Sequence, residues 1–411
     1  MRVLALFCFL FAYLFAQPLD LTVGAEHAIL MNAKTGKVLF EKKAHEQCHP
    51  ASTTKIATAL YALHLKGDSL DDVMKTRAEA IRSITPQAKK QSNYRCPPHW
   101  NETDGTHIGL KKGEEMRYYD LLHAILIASA NDACNVVAQT LGGTIPNFME
   151  GLNHHIKKLG CKNTNFNSPH GLTHPDHLTT AYDLALMAKE AYKNPLIREI
   201  IAKTRYTCPE TNLEYERYFI QSNRLLRNTP YYYSKAIGMK TGTTQAAGKN
   251  LVAMAEDQGR VLIGVFLGYK GAGDLYLDAK RVFEHAFNEP LMRRTLLRSG
   301  RQEITKKVAG TRKVLQTYLP EDLNYDFHPS EEEEVKLLVH WKLPKLPILQ
   351  GEAVAKVEVV DRHHNVLESA SLYAFDALNP TFLRKVCQGG NLLLLLCALP
   401  LLIIFWRLTK T

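Results

Sequence analysis

No CxxC pair and no grouping of His and Cys at metal-ligand spacing occurs in this 411-residue chain, although it holds eight cysteines. That excludes the usual zinc-finger and dithiol redox patterns, and no metal or other cofactor is expected. No RNA- or DNA-reading motif and no internal repeat is present, so nucleic-acid modules and solenoids are set aside as well. Biased composition is also missing: 45% of the residues are hydrophobic and 22% charged. A disordered or fibrous protein does not fit, and the length suffices for two domains with their own cores. The net charge of +10 suits work beside anionic lipid and an acidic polymer, and equally suits a plain solvated basic surface.

Charge is scarce near both ends. Met1-Arg2 is a short positive start, Val3 to Phe15 is an unbroken apolar run, and Ala16 is small. Together they read as an export signal within residues 1–25, with a retained N-terminal anchor as the alternative. Leu14 is bulky for its place before Ala16 and Pro18 follows closely, so Val23-Gly24-Ala25 competes as the cut site. The cut therefore falls after about residue 16 or after residue 25. Leu392 to Trp406 is again wholly apolar, with Arg384 and Lys385 before it and Arg407 and Lys410 after. Its apolar core is shorter than the roughly 20 residues that cross hydrocarbon, but Gly389 to Asn391 and a snorkelling Arg407 extend it to 389–407. The expectation is a single-pass C-terminal transmembrane helix in the cell inner membrane, touching its lipid, with the bulk of the chain periplasmic. Cys8 lies in the signal and Cys397 in the membrane run; the pairing of Cys48, Cys96, Cys134, Cys161, Cys208 and Cys387 cannot be read from spacing.

Between the ends the periodicity changes twice. Ala28–Met31 and Lys37–Glu41 flank turn residues and predict a hairpin. Ile56, Leu60 and Leu63 recur at helical spacing within Thr53–Lys66. Residues 84–106, rich in Pro, Lys, Gln and Asn, read as a long surface loop. Tyr118–Ala128, Ala133–Leu141, Ile145–Leu159 and Thr180–Lys193 read as helices. Ala236–Lys240, Leu251–Ala255 and Val261–Leu267 read as strands, with Asp274–Phe287 an amphipathic helix closing a first domain at about 26–290. Val308–Val314, Glu334–Trp341, Val354–Val360 and Leu367–Phe375 are short β runs, predicting a small all-β domain at 300–378 that serves as a spacer or docking module.

Three stretches can carry chemistry. Ser52-Thr53-Thr54-Lys55 opens the first helix, so the Ser52 hydroxyl and the Lys55 amine share a face one turn apart. A lysine can act as base for a serine only when burial and neighbouring cations lower its pKa. The helix start also directs the Ser52 N–H and the positive dipole end at developing negative charge. Ser129-Ala130-Asn131 puts a hydroxyl and an amide on a turn between helices, one able to relay a proton and the other to hold a substrate amide. Lys240-Thr241-Gly242 ends a strand, where an extended peptide can add and a cation with a hydroxyl can bind a carboxylate. Each has a bland reading: an N-cap serine with a surface lysine, a helix cap, and a β-turn with a surface lysine.

The ordered set SxxK, SxN and KTG resembles the active-site serine penicillin-recognising enzymes. His107 to Glu114 followed by Asp120-Leu121-Leu122, then Ser129 to Ala133, looks like the D-alanyl-D-alanine carboxypeptidase family. So do Ser168-Pro169-His170-Gly171-Leu172 with His177, Thr179-Thr180-Ala181, and Ala246 to Ala253 after the KTG. The resemblance is strong over Ala25–Phe287 and looser beyond, with Leu346 to Gly351 the best later fragment. It implies an α/β (α+β) transpeptidase-like domain with an antiparallel sheet and a helical subdomain. It also implies a catalytic set of Ser52, Lys55 and Ser129, and substrate binding by Asn131, Lys240, Thr241, Gly242 and Thr243, the N–H groups of Ser52 and Thr243 forming the oxyanion hole. The implied substrate is a peptidoglycan stem peptide ending in D-alanyl-D-alanine; β-lactam antibiotics would be covalent inhibitors, and no nucleic acid is expected.

Four features depart from the family pattern. Ala130 stands where relatives often have glycine, and Gly268 to Asp274 holds Lys270 but none of the arginine that relatives use for the terminal carboxylate. The segment 84–106 is long, and the tail is apolar all round. A class A β-lactamase shares the motifs but needs a glutamate in ExxxN spacing, which Glu150-Gly151-Leu152-Asn153 does not supply. A β-lactam sensor that never turns over and an endopeptidase acting on cross-links remain alternatives.

Overall fold

The computed structural model describes residues 18–381 apart from 68 and 363, together with residue 384. The apolar runs Val3 to Phe15 and Leu392 to Trp406 lie outside the described residues. Among the described residues no helix is long and apolar enough to cross a membrane. The chain forms two compact units, Pro18–Glu289 and a second from Pro290 onward.

The first unit is built on an antiparallel sheet of β1 His27–Asn32, β2 Val38–Lys42, β3 Ala236–Thr244, β4 Gly248–Asp257 and β5 Arg260–Tyr269. The spatial order is β2-β1-β5-β4-β3. The chain thus leaves the sheet after β2 and returns nearly 200 residues later, at an edge. Alternation along β4 and β5 explains why both faces are covered. Val252, Met254, Ile263 and Val265 enter the core beneath the helices, and Leu251, Ala253, Leu262 and Phe266 enter a second core. The second core is closed by α8 Ala272–Phe287 through Leu275, Ala279, Val282 and Phe283.

Among the described residues the excursion between β2 and β3 holds seven α-helices: α1 Lys55–Lys66, α2 Pro86–Gln91, α3 Tyr118–His123, α4 Asn131–Gly142, α5 Ile145–Lys158, α6 Ala181–Lys193 and α7 Pro195–Ala202. Helix α1 is central. Ala57, Ala59 and Ala62 let its neighbours approach closely, and Ile56, Leu60 and Leu63 fill the space between them. The predicted hairpin and helices are present, as is the expected α/β architecture with its antiparallel sheet. The strands β3, β4 and β5 run further than predicted, because their ends are polar.

Two expectations fail. Residues 84–106 are not a plain surface loop: they contain α2, and Ser83–Ile84 pairs with Asn101–Glu102. Lys89, His99 and Asn101 are buried there because each finds a polar partner, in Glu102 at 2.9 Å, Glu79 at 2.9 Å and the Ala80 carbonyl at 3.0 Å. Composition alone reads such residues as exposed. Val308–Val314 is a turn rather than a strand, with Gly310 at φ +85 and Thr311 Oγ1 donating to the Val308 carbonyl at 2.8 Å. It joins the strands Gly300–Lys307 and Val314–Leu319.

In the second unit those two strands continue into Val366–Ala374, Ala353–Val360 and Lys336–Trp341 as one five-stranded sheet. Leu319, Val339, Val357, Val359 and Leu372 form its core. Met292–Leu297 pairs separately with Leu323–Phe327.

The stretch ahead of β1 belongs to the first unit. Val23 and Ala25 are buried, and Lys42 Nζ donates to their carbonyls at 3.0 and 2.6 Å. The Gly24 N–H donates to Asp278 at 2.7 Å.

Candidate active site

Ser52 lies in a 3-10 turn, Ala51–Thr54, that runs straight into α1. Lys55 is fully buried. Its Nζ contacts Ser52 Oγ at 2.8 Å, Asn131 Oδ1 at 2.7 Å and the His170 carbonyl at 2.9 Å. Two of these partners can only accept. A neutral amine therefore spends its two N–H donors on Asn131 and His170, and its lone pair meets the one partner able to donate, the Ser52 hydroxyl. Burial pushes the amine down to about 8, against the opposing pull of Cys134 and Asp132. On that value roughly a tenth of the molecules carry a neutral Lys55 at pH 7.

The loop Ser168–Leu172 positions the third acceptor. Gly171 has φ +88 and passes so close to Ala51 that a Cβ would stand 2.0 Å from its carbonyl oxygen, so only glycine fits. The His170 ring is fixed by the His99 carbonyl at 3.1 Å and the Leu172 N–H at 3.2 Å, and burial holds its pKa well below the usual value. His177 accepts from the Asn167 N–H at 2.9 Å and bonds Thr54 Oγ1 at 3.0 Å through its other nitrogen. Thr54 in turn donates to the Ala51 carbonyl at 2.9 Å. These residues brace the turn that carries Ser52. In the sequence these residues show kinship but not this role, since a main-chain carbonyl acting on Lys55 leaves no mark in residue type.

Ser129 ends a π-helical stretch, Ala124–Ala128, and takes a left-handed conformation with φ +63. Such widened turns recur at functional sites. Asn131 then starts α4, and Asp132 accepts from the N–H groups of Ile108 and Leu110 at 3.2 and 3.0 Å. Ala130 is extended and fully buried, so the turn accommodates its methyl. The structure joins Asn131 directly to Lys55; among the described residues it gives Ser129 no hydrogen bond to Ser52, Lys55 or Lys240.

The KTG lies inside β3, not at its end, since the strand continues to Thr244. A Cβ on Gly242 would stand 2.9 Å from both the Ser52 nitrogen and the Pro50 carbonyl oxygen, which lays this strand against the serine turn. Asn250 on β4 secures the contact, its Nδ2 donating to the carbonyls of His49 and Pro50 at 3.0 Å each. Lys240 is buried, donates to the Thr241 carbonyl at 3.0 Å, and is held far below the usual lysine pKa by burial and then by Lys55. Thr241 Oγ1 bonds Ser222 Oγ at 2.7 Å. Thr243 is exposed and pairs across the sheet with Lys249. All eight site residues expected from the sequence thus fall on three adjoining segments.

Strain marks each segment. Ala51, Ser129 and Met239 have φ of +52, +63 and +105, one at or directly before each motif. Non-glycine residues pay for such conformations, which concentrate at functional sites. Glu150, by contrast, is exposed on α5, and Asn153 is committed to the Phe166 backbone at 2.8 and 2.9 Å. Neither supplies the glutamate of a class A β-lactamase. Lys270 is exposed. Cys48, Cys96, Cys134, Cys161 and Cys208 are free thiols.

Residues 14–271 match the family model of D-alanyl-D-alanine carboxypeptidase, peptidase family S11. The chain belongs to that family. It is 30% identical to the D-alanyl-D-alanine carboxypeptidase DacF of Bacillus subtilis over 315 residues, covering 74% of this chain and 75% of the relative. Identity to DacC of Escherichia coli is 35% over 257 residues, covering 61% and 58%. Among solved structures, DacD of Francisella tularensis aligns with a TM-score of 0.60 over 90% of this chain and 98% of that one, at 20% identity. That likeness carries the fold. The DD-transpeptidase of Streptomyces K15 aligns with a TM-score of 0.56 at 25% identity, over 66% of this chain and 99% of that one. As a member of this S11 family the chain is a serine-type D-alanyl-D-alanine carboxypeptidase of the penicillin-binding group.

Proposed function

We propose that Ser52 attacks the carbonyl between the two terminal D-alanines of a peptidoglycan stem peptide, with neutral Lys55 taking the hydroxyl proton. The C–N bond breaks, Ser129 passes a proton to the departing D-alanine, and water later hydrolyses the Ser52 ester. Asn131 holds the peptide backbone. Lys240 and Thr241 receive the terminal carboxylate, Gly242 lets the substrate strand lie close, and the N–H groups of Ser52 and Thr243 bind the oxyanion. β-Lactams acylate Ser52 and persist because their opened ring stays tethered. The single observation that carries this reading is the Lys55 amine, buried, with its two acceptor-only partners turning its lone pair onto Ser52.

The second unit is a small β-rich spacer or docking domain at about 300–378, and residues 389–407 are a transmembrane anchor that holds the first unit on the periplasmic side of the inner membrane. Export with a cut after about residue 16 fits better than one after Ala25, because the later cut would strip away the buried Val23 and Ala25 and the carbonyls that Lys42 binds. Full-length protein in detergent, incubated with a pentapeptide ending in D-alanyl-D-alanine, should release D-alanine, and Ser52→Ala should abolish the release. Equal release by both proteins would remove Ser52 from this role.

A further inference from the structure

The segment 84–106 reaches all three walls of the cleft. Its exit stands on the SxN wall: the Asn131 N–H donates to the Thr106 carbonyl at 2.8 Å, and a Cβ on Gly105 would lie 2.9 Å from Asn131 Nδ2. Its middle meets the loop behind Lys55, where the Tyr94 ring sits edge-on to His174 at 5.9 Å. Its helix α2, capped by Thr85, reaches the turn between β3 and β4, where Lys90 Nζ donates to Gln245 Oε1 at 3.1 Å.

Two adjacent lysines on α2 divide the labour. Lys89 is buried and neutralised by Glu102 at 2.9 Å, which holds the segment in shape. Lys90 is exposed, its partner is a neutral amide, and among the described residues no carboxylate pairs with it. The direction of the substrate follows from the proposed reading, on which this inference rests. If the terminal carboxylate lies at Lys240 and Thr241 and the scissile carbonyl at the Thr243 N–H, the rest of the acyl donor runs on toward Gln245. The residue ahead of the D-alanyl-D-alanine pair then arrives beside an unneutralised ammonium and an amide that can donate to a second oxygen.

The geometry points to Lys90 and Gln245 as a specificity subsite for the residue preceding D-alanyl-D-alanine, selecting donor peptides whose side chain there carries a free carboxylate. The pair is exposed, so the selection is a screened, long-range preference rather than a clamp, expressed in KM more than in kcat.

The test uses full-length protein and two pentapeptides that differ only in this side chain, a carboxylate in one and its carboxamide in the other. The expected ratio of kcat/KM, acid over amide, is about fivefold at low salt and shrinks as salt rises. Lys90→Met brings the ratio to about one and Lys90→Glu inverts it. Each variant is its own reference, so a general loss of folded protein cancels. A ratio of one in the unaltered protein, or a ratio that survives Lys90→Glu, overturns the subsite while leaving the Ser52 reading intact. D-Alanine release from neither peptide would instead sink the proposed reaction, and the subsite with it.

Discussion

Lys55 and Lys240 are buried to the same degree in one cleft, on its floor and on its wall, yet they are held in opposite ways. Among the described residues Lys55 has three oxygen partners, and Lys240 has one, the carbonyl of the next residue. Burial lowers the pKa of both. The difference separates two uses of the same side chain. An amine surrounded by acceptors is fixed in place and can serve as a base, whereas an amine with spare donors awaits an anion. Burying an amine with spare donors costs stability, so the second arrangement persists only where function needs it.

The strongest way to break this comparison is to remove what the floor activates: Ser52→Ala should lower D-alanine release at least about 10^4-fold. Lys55→Met should lower Ser52 acylation by a labelled penicillin about 10^3-fold, and Lys55→Arg should not restore it, because arginine cannot lose its proton. The same Lys55→Met change orphans Asn131 Oδ1 and the His170 carbonyl, so melting should show a loss of about 1–3 kcal/mol. Lys240→Met should raise KM for the peptide about 10^2-fold, yet leave the melting temperature unchanged or higher, since it removes a buried polar amine with a single partner. Both lysine variants would thus lose activity while their stabilities part. A fall in melting temperature as large as that of Lys55→Met would erase the distinction. Gly242→Ala should slow acylation about tenfold by pushing the strand off the Ser52 nitrogen, read as a change in acylation rate with the fold intact by circular dichroism.

Much of this is legible in the residues alone. The hairpin, α1 and the centres of β3 to β5 follow from apolar periodicity, because both faces of the sheet are covered and α1 buries Ile56 to Leu60 with Ala62 and Leu63. The three motifs follow from their order along the chain. What escaped was polar structure. The KTG reads as a strand end because Thr241 to Thr244 bury no apolar side chain, and 84–106 reads as a loop because Lys89 and His99 are polar residues buried against Glu102 and Glu79. Helix α7 was missed although Asn194-Pro195 is a start signal, with Asn194 Oδ1 accepting from Leu196 and Ile197 at 2.9 and 3.2 Å. The hairpin Arg205–Cys208 with Arg217–Ile220 was missed because its outer residues, Tyr218 and Ile220, are exposed. The strain at Ala51, Ser129 and Met239 could not be anticipated, since nothing in an alanine or a methionine announces a positive φ that the surroundings impose.

The central claim is that Lys55 works as a neutral base, and the pH dependence of Ser52 acylation tests it most directly. A lysine whose pKa lies at about 8 is mostly protonated below that value and inactive as a base, so the second-order acylation rate should rise with pH through about 8 and then level off. In Lys240→Met the limb should stay near 8, because burial and not Lys240 is what lowers the Lys55 amine. A limb near 8 that stays in place in Lys55→Met would contradict the account.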